Sequence, residues 1–391
     1  MIKRAILLFA FCFFWLSAAR LWAQISPRSF WTALSPSEYK VMAKLVRHYN
    51  SEHSYHPVIL KNISSPALLF HLLKTGKSPD LALINSQWIG SLSSKLLPAD
   101  TILKKAGAAV EVMVESDTFR PIWESCVFNK QAWIIPFSAE TAALVLNKKS
   151  FRPSAQISTL SQWSNLVKKT EPGEKTEGIV LPFEWSSSDL GQFWEDFSKT
   201  FSAENSTFFH QKLATLNVWW NWVNRYHLTT LHPYSIPLDF KRGKSWILLP
   251  NETASLKNEF LVKPLPEAGK LWGYLQVQGI AFFGKKGWDF ANYITDYRQL
   301  KFWAVKTNTV PVNKQVYLSP DYLQNVRLKR PWMKVYIQEI SRSSPPLNSP
   351  HAVSELKTIA EIVKSTLRKQ ITETKAVQKI QKLMSESDRT K

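Results

Sequence analysis

Cysteine is almost missing from this chain, with two in 391 residues: Cys12 inside an apolar run near the start, and Cys126 in "WESCVFN". A single cysteine beyond that run has no internal partner, so stability must come from packing and not from disulfides. Cys126 has no histidine near it in sequence and no activating setting, which reads as a buried structural thiol. Glycine is scarce too, at twelve residues, and none of them sits in a phosphate-binding loop of either common type. Nucleophile-elbow and paired-histidine zinc patterns are missing as well, so the usual sequence marks of catalysis are absent. "HYNSEHSYH" brings His48, His53 and His56 close together, but at no standard metal spacing, and it reads as a solvated turn. No cofactor or metal is expected.

Acid is the third shortage, with 30 Asp and Glu against 50 Lys and Arg, for a net charge of +20. Such an excess suits nucleic acid, anionic lipid headgroups or acidic ligands. The cations are scattered through "FKRGK", "FGKKG" and "VRLKRP" and form no long block. A solvated basic surface able to lie along an anionic membrane fits them best; nucleic acid is not expected as a partner.

What is present begins with "MIKRAILLFAFCFFWLSAARLWAQ", which pairs Lys3 and Arg4 with an uncharged apolar run from Ala5 to Ala19. The run is shorter than the roughly 20 residues that span a bilayer and ends at Arg20, so residues 1–23 read as a signal peptide cleaved near Ala23. Cys12 follows Phe11 and lacks the setting of a lipid-attachment site. Export to the periplasm follows, and the mature chain keeps a charge of about +17.

Length and a 45% apolar composition fit two globular lobes. "SPSEYKVMAKLVRHYN" opens a helix with Ser35 as N-cap, Pro36 at the first turn and Glu38 completing a capping box. Tyr39, Met42, Val46 and Tyr49 share its buried face. "HPVILK" reads as a strand, "SSPALLFHLLKTGK" as a helix and "PDLALIN" as a buried strand, the pattern of a parallel strand-helix-strand unit. Ligands in such sheets lie beyond the carboxyl ends of strands, which nominates Trp31 and Thr32 and the stretch Asn85 to Trp88 as walls.

A second α/β lobe starts near Thr159 with another capping box, "TLSQ". "SWILLP", "FLVKPLP" and "GYLQVQGIAFFG" read as strands, and "GWDFANYITDYRQLKFWAV" as a helix with Phe290, Ile294 and Tyr297 on one face. "SRSSPPLNSP" reads as a linker before a last helix whose apolar face carries Leu356, Ile359, Ala360, Val363 and Leu367.

Tryptophan is plentiful, at 17 residues. Trp219 and Trp222 of "NVWWNWVN" share a helical face and fit a core, whereas Trp31, Trp88, Trp185 and Trp272 sit where strands end or loops begin. Indole faces stack on sugar rings while nearby amides and carboxylates bind hydroxyls.

In this order the elements resemble the extracellular solute-binding proteins of ABC importers, in the family of maltodextrin, sugar and glycerol-3-phosphate receptors. "PDLALINSQWIGSLSSKLLPAD" resembles its Pro-Asp strand, polar loop and helix, and "IWESCVFNKQAWIIPFSAETAALVLNKKSF" its hairpin followed by P-x-x-x-x-T/A-x-x-L-x-Y-N-K, with Leu146 in place of the tyrosine. "FKRGKSWILLPN", "FLVKPLPEAGK" and "FANYITDYRQLKFWAVKTNTVPVNKQVY" resemble three later blocks. The resemblance implies a bilobal periplasmic-binding-protein fold, α/β in both lobes, closing on a solute through hinge crossovers and handing it to a membrane permease without catalysis. It implies a monomer with lobe 1 from residues 24–139 and 274–314, and lobe 2 from 140–273 and 315–391. Carried over position by position, it places Asn85, Gln87 and Trp88, then Ser138, Glu140 and Thr141, then Glu184 and Trp185, Asn251, and Gln278 with Gly279 at the ligand. Ser138 to Thr141 would be the hinge crossing between a first-lobe strand ending at Phe137 and a second-lobe strand from Ala142. The ligand class stays open between carbohydrate and glycerol-phosphate type. A secreted glycan hydrolase using Glu140 with another acid such as Glu184 is the alternative, as is a receptor that has lost its solute and serves as an interaction protein.

Overall fold

The computed structural model describes residues 27–76, 78–107, 114–148, 159, 162, 179–180, 185–201, 207–225, 245–256, 260–265 and 273–388. The signal peptide, Glu184 and Trp272 lie outside them. The strands are β1 (Arg28–Thr32), β2 (Val58–Asn62), β3 (Leu81–Asn85), β4 (Val127–Phe128), β5 (Gln131–Ala132), β6 (Ile134–Thr141), β7 (Ala143–Asn147), β8 (Ile179–Val180), β9 (Ser245–Leu248), β10 (Phe260–Lys263) and β11 (Leu275–Phe282).

Two sheets organise them. The first has the order β2-β1-β3-β11-β6 and the second β10-β7-β9-β8, while β4 and β5 form a small hairpin. In the first sheet β1 runs parallel to β2 and β3, as the strand-helix-strand pattern implies, and the return strand β11 lies antiparallel between β3 and β6. β3 is buried along its whole length, the expected outcome for a strand covered on both faces.

The helix Pro36–Glu52 starts as the sequence dictates: the Ser35 amide donates to Glu38 Oε2 at 3.0 Å and the Glu38 amide to Ser35 Oγ at 3.4 Å. Met42, Leu45, Val46 and Tyr49 are its buried residues, with Tyr39 half-buried. The second box is present as well, since the Thr159 amide donates to Gln162 Oε1 and the Gln162 amide to Thr159 Oγ1, both at 3.1 Å. Cys126 is fully buried, its thiol donating to the Ile122 carbonyl, and burial pushes it well above the ordinary thiol range.

The apolar interior divides in two. The first core joins Phe30, Ile84 and Phe137 to Ile280, Phe290 and Trp303; the second joins Leu144, Trp194, Trp219 and Trp222 to Ile359, Val363 and Leu367. The C-terminal boundary differs from the expectation. Val316, Tyr322, Val326, Met333, Tyr336 and Ile340 pack in the first core, and the chain joins the second core only from Ile359. Helix Pro320–Lys329 buries Tyr322 and Val326, one helical turn apart, against first-lobe neighbours, a match that chain order alone does not reveal.

Two further expectations change. The helix around Phe290 and Ile294 stops at Thr295, because Asp296 caps a new helix, Tyr297–Thr307, by accepting from the Arg298 amide at 2.9 Å. "SRSSPPLNSP" is no loose linker: Asn348 Oδ1 accepts from the Gly90 amide at 3.0 Å, and the Leu347 amide donates to Gln192 Oε1 at 2.9 Å, so this strap is pinned to both lobes.

The strap is followed by helix Ala352–Leu367, which packs on helix Ser187–Ser198 at Gly191, where an added Cβ would lie 2.1 Å from the Leu356 carbonyl oxygen. In an open helix Gly→Ala stabilises by up to about 1 kcal/mol. Here Gly191→Ala is expected to have the opposite sign, costing about 1–3 kcal/mol through overpacking, and thermal or urea denaturation reads that sign directly.

Candidate functional site

A cleft of about 100 Å³ opens where the two lobes meet. The first lobe contributes Leu34 and Leu69 from helix entrances, Asn85 from the carboxyl end of β3, and Trp88 from the turn after it. Asn85 shapes that turn by accepting from the Gln87 amide at 3.2 Å. Trp88, 8% exposed, packs against Phe70 with ring centroids 5.3 Å apart, so its remaining open area belongs to the cleft. The second lobe contributes Ser186, Ser188 and Asp189 at the start of helix Ser187–Ser198. Gln276 and Gln278 of β11 complete the floor.

Ser186 and Asp189 make a cap: Ser186 Oγ accepts from the Asp189 amide at 3.3 Å and donates to Asp189 Oδ2 at 2.6 Å. The other oxygen, Oδ1, accepts from Gln276 Nε2 at 3.1 Å, which ties the floor to the second lobe. Glu140 is half-buried and lies opposite Gln276 across the β6–β11 pair. Burial, then the carboxylates of Glu38, Glu252 and Asp189, push its pKa up to about 8. Burial also raises Asp189, offset in part by the Ser186 hydrogen bond. No Lys or Arg is among the described lining residues. The first turns of two helices beside the cleft already carry acids, Glu38, which accepts from the Ser35 amide, and Asp189, which accepts from the Ser186 hydroxyl, and both disfavour a bound anion there. Such a site presents acceptors, amides and one indole, a set that suits hydroxyl donors and resists phosphate.

Of the residues nominated from sequence, Asn85, Trp88 and Gln278 line the cleft, and Glu140 stands beside it. The others have different neighbours. Trp31 is half-buried with Lys61 Nζ 4.8 Å from its ring centroid, and Gln87 is fully buried. Ser138 Oγ accepts from Trp303 Nε1 at 3.2 Å, and Thr141 Oγ1 donates to the Tyr336 carbonyl at 2.8 Å, so both hold the crossing. Gly279 serves close packing, since a Cβ there would lie 2.7 Å from the Ile135 carbonyl. Asn251 is exposed and accepts from the Glu252 amide. Trp185 packs in the second lobe, 4.8 Å from the Tyr274 ring centroid. Sequence reasoning missed Ser186, Ser188, Asp189 and Gln276. The S-x-x-D spacing of Ser186 and Asp189 was the available signal, a helix start directly after a strand. The crossing also differs in detail: β6 continues to Thr141, still paired with Leu275, and Ala142 alone separates it from β7.

The raised Glu140 carboxyl sets a pH dependence. Between its ordinary value of 4.5 and about 8, the folded protein holds a proton that the unfolded chain releases. Stability therefore falls as pH rises through that window, by up to about 1 kcal/mol per unit from this group. Glu140→Gln, neutral in both states, is expected to flatten the decline; urea titrations of both proteins from pH 5 to about 8 measure it.

No family model matches this sequence, and no curated protein does. Solved structures do. The cyclic alpha-maltosyl-1,6-maltose binding protein from Arthrobacter globiformis superposes with a TM-score of 0.74 at 14% identity, over 92% of this chain and 97% of that one. UgpB from Mycobacterium tuberculosis in complex with glycerophosphocholine gives 0.75 at 16% identity over 93% and 99%. The Thermus thermophilus maltotriose binding protein bound with maltotriose gives 0.69 at 18% over 93% and 99%. The chain thus has the bilobal fold of periplasmic sugar-binding proteins, two α/β lobes with a cleft between them.

Proposed function

We propose that this chain is the solute-binding receptor of an ABC importer, exported to the periplasm after loss of residues 1–23, and that its solute is a neutral carbohydrate delivered to a membrane permease. The observation that carries the reading is the cleft lining: Trp88 on one wall, Asp189 on the other, and the amides of Asn85, Gln276 and Gln278 between them, with no cation among the described lining residues. Sugar rings offer apolar faces to an indole and hydroxyl donors to a carboxylate. A phosphoester needs the reverse charge, which weighs against the glycerol-phosphate alternative even though one similar structure holds glycerophosphocholine. The similar structures with maltose, maltotriose or tagatose bound support the sugar reading and a role without turnover.

The cleft's volume, about 100 Å³, is below the roughly 300–1,000 Å³ of usual ligand pockets, so the lobes must part to admit a sugar larger than one ring. Thermal shift against mono- and oligosaccharides, glycerol phosphate and glycerophosphocholine tests the proposal. A ligand at 100-fold its Kd adds about 2.7 kcal/mol of apparent stability. Stabilisation by a sugar that is recovered intact is the expected result, whereas product release from an oligosaccharide would favour the hydrolase and silence across the panel the degenerate receptor. Asp189→Asn is expected to weaken sugar affinity about tenfold or more by removing a charged acceptor, as read by titration calorimetry.

A further inference from the structure

Between Tyr297 and Gln338 the sequence has eight cations, Arg298, Lys301, Lys306, Lys314, Arg327, Lys329, Arg330 and Lys334, and one acid, Asp321. Lys301 Nζ binds that acid at 2.6 Å, leaving seven cations with no acid of their own segment. The same stretch carries Leu318 at 66% exposure, Leu328 at 68% and Leu323 at 38%, half of the six large hydrophobic residues most exposed among the described ones. Leu323, Arg327 and Leu328 occupy the outward arc of helix Pro320–Lys329, opposite the buried Tyr322 and Val326. A patch of lysines is ordinarily just solvated. Leucines this exposed among them are not explained by solvation, and the mixture is the pattern of helices that rest on a lipid interface.

A groove beside this helix adds to the case. It measures about 390 Å³ and runs between helix Tyr297–Thr307 and helix Pro320–Lys329, lined by Arg298, by Lys301 with its partner Asp321, and by Phe302, Val305, Tyr322 and Asn325. Lys44 Nζ lies 5.2 Å from the Phe302 ring centroid. Next to the groove is Arg330, 7% exposed, whose guanidinium is held by neutral acceptors only: Asn325 Oδ1 at 3.0 Å, Asn308 Oδ1 at 3.1 Å and the Ala304 carbonyl at 3.2 Å. Its Nη2 has no partner among the described residues, and neither has the Tyr322 hydroxyl. A buried cation without a carboxylate is costly, and it projects positive potential into the adjoining groove, where Asn325 and Tyr322 are shared walls.

We propose that this face of the first lobe, the exposed leucines set among the cations of the 297–338 segment, docks on an anionic phospholipid surface. Lipid phosphates supply the countercharge that the segment lacks, and the leucines enter the headgroup layer. Each basic residue near such a surface contributes about 1 kcal/mol, so several together give reversible, salt-sensitive attachment. The site is separate from the cleft and independent of which solute the cleft takes.

Vesicle sedimentation tests it, with equimolar phosphatidylglycerol and phosphatidylcholine in one set and phosphatidylcholine alone in the other. The parent is compared with Leu318→Ser/Leu328→Ser and with Arg327→Glu/Lys329→Glu; all four side chains are exposed, so thermal midpoints should match the parent's. The apolar run at residues 5–19 is common to all three proteins, so differences among them report this face alone. Expected is a loss of bound fraction on the anionic vesicles of about tenfold or more for the charge pair and several-fold for the leucine pair. On phosphatidylcholine alone the three should be alike. Equal binding of parent and variants to the anionic vesicles would overturn the proposal, as would release of the parent by inorganic phosphate at an ionic strength where chloride releases none, which would mark a free-phosphate site. Should a variant lose its thermal midpoint, Arg298→Glu at the groove rim replaces it in the same comparison.

Discussion

Among the described residues, the main chain passes between the two sheets along one antiparallel ribbon. β6 and β11 pair residue by residue from Ile134–Ala281 in the first sheet out to Thr141–Leu275 at the crossing, and β6 passes into β7 of the second sheet through Ala142 alone. Main-chain hydrogen bonds at strand spacing leave such a ribbon free to twist and bend but not to slide, because a one-residue slip would turn every side chain to the opposite face. A register irregularity at Gln278/Gly279 leaves Phe137 as the extra residue, and bulges of this kind bend a strand and strengthen its twist. Two further ties lie beside it. Buried Tyr336, from the first core, is bonded to Thr253 and to the Leu248 carbonyl of the second sheet, and the 343–350 strap reaches Gly90 on one side and Gln192 on the other. Under the proposed receptor function, any closing of the lobes would have to bend these contacts and the Asp189–Gln276 bond together.

The ribbon also explains why an acid so costly as Glu140 sits where it does. A carboxyl brought among Glu38, Glu252 and Asp189 with so little solvent lowers stability at neutral pH. The cost is tolerated because strand pairing over-determines the position of residue 140, whatever its side chain prefers. Groups held against their own electrostatics at a cleft are candidates for ligand contact, and Asp189 shares the cleft with Trp88 while Glu140 stands beside it.

How much of this the sequence made legible follows the range of the forces involved. Local signals were reliable: the Ser35–Glu38 box, proline at the first turn of two helices, and the apolar face of helix Ala352–Leu367 are set by neighbours three or four residues away. Asn85 could be nominated because ligands collect at the carboxyl ends of strands, whereas Gln278, in the middle of β11, came only from the resemblance. What stayed hidden depends on distant partners. Ser138 and Thr141 look like cleft residues until Trp303 and the Tyr336 carbonyl claim them from 165 and 195 residues away. In the same way Asp189 matters only because Gln276, 87 residues on, bonds to it. Nothing in the order of the elements indicated that helix Pro320–Lys329 would pack with the first lobe.

Net charge and local charge then point to different solutes, and the proposed function follows the local charge. A surplus of +20 draws anions toward the molecule from afar, which is the reason to consider a phosphoester. At physiological ionic strength that attraction is screened beyond about 8 Å. Among the described lining residues the one charged group is Asp189, with Glu140 beside the floor, and screening there is weakest because protein has displaced water. The scattered lysines therefore govern how the surface meets large charged partners, whereas the cleft carboxylates govern what fits inside. A small anion would be collected by the former and refused by the latter. A sugar is indifferent to the first field and matched to the second, so the two halves of the charge distribution can act on different partners without interfering.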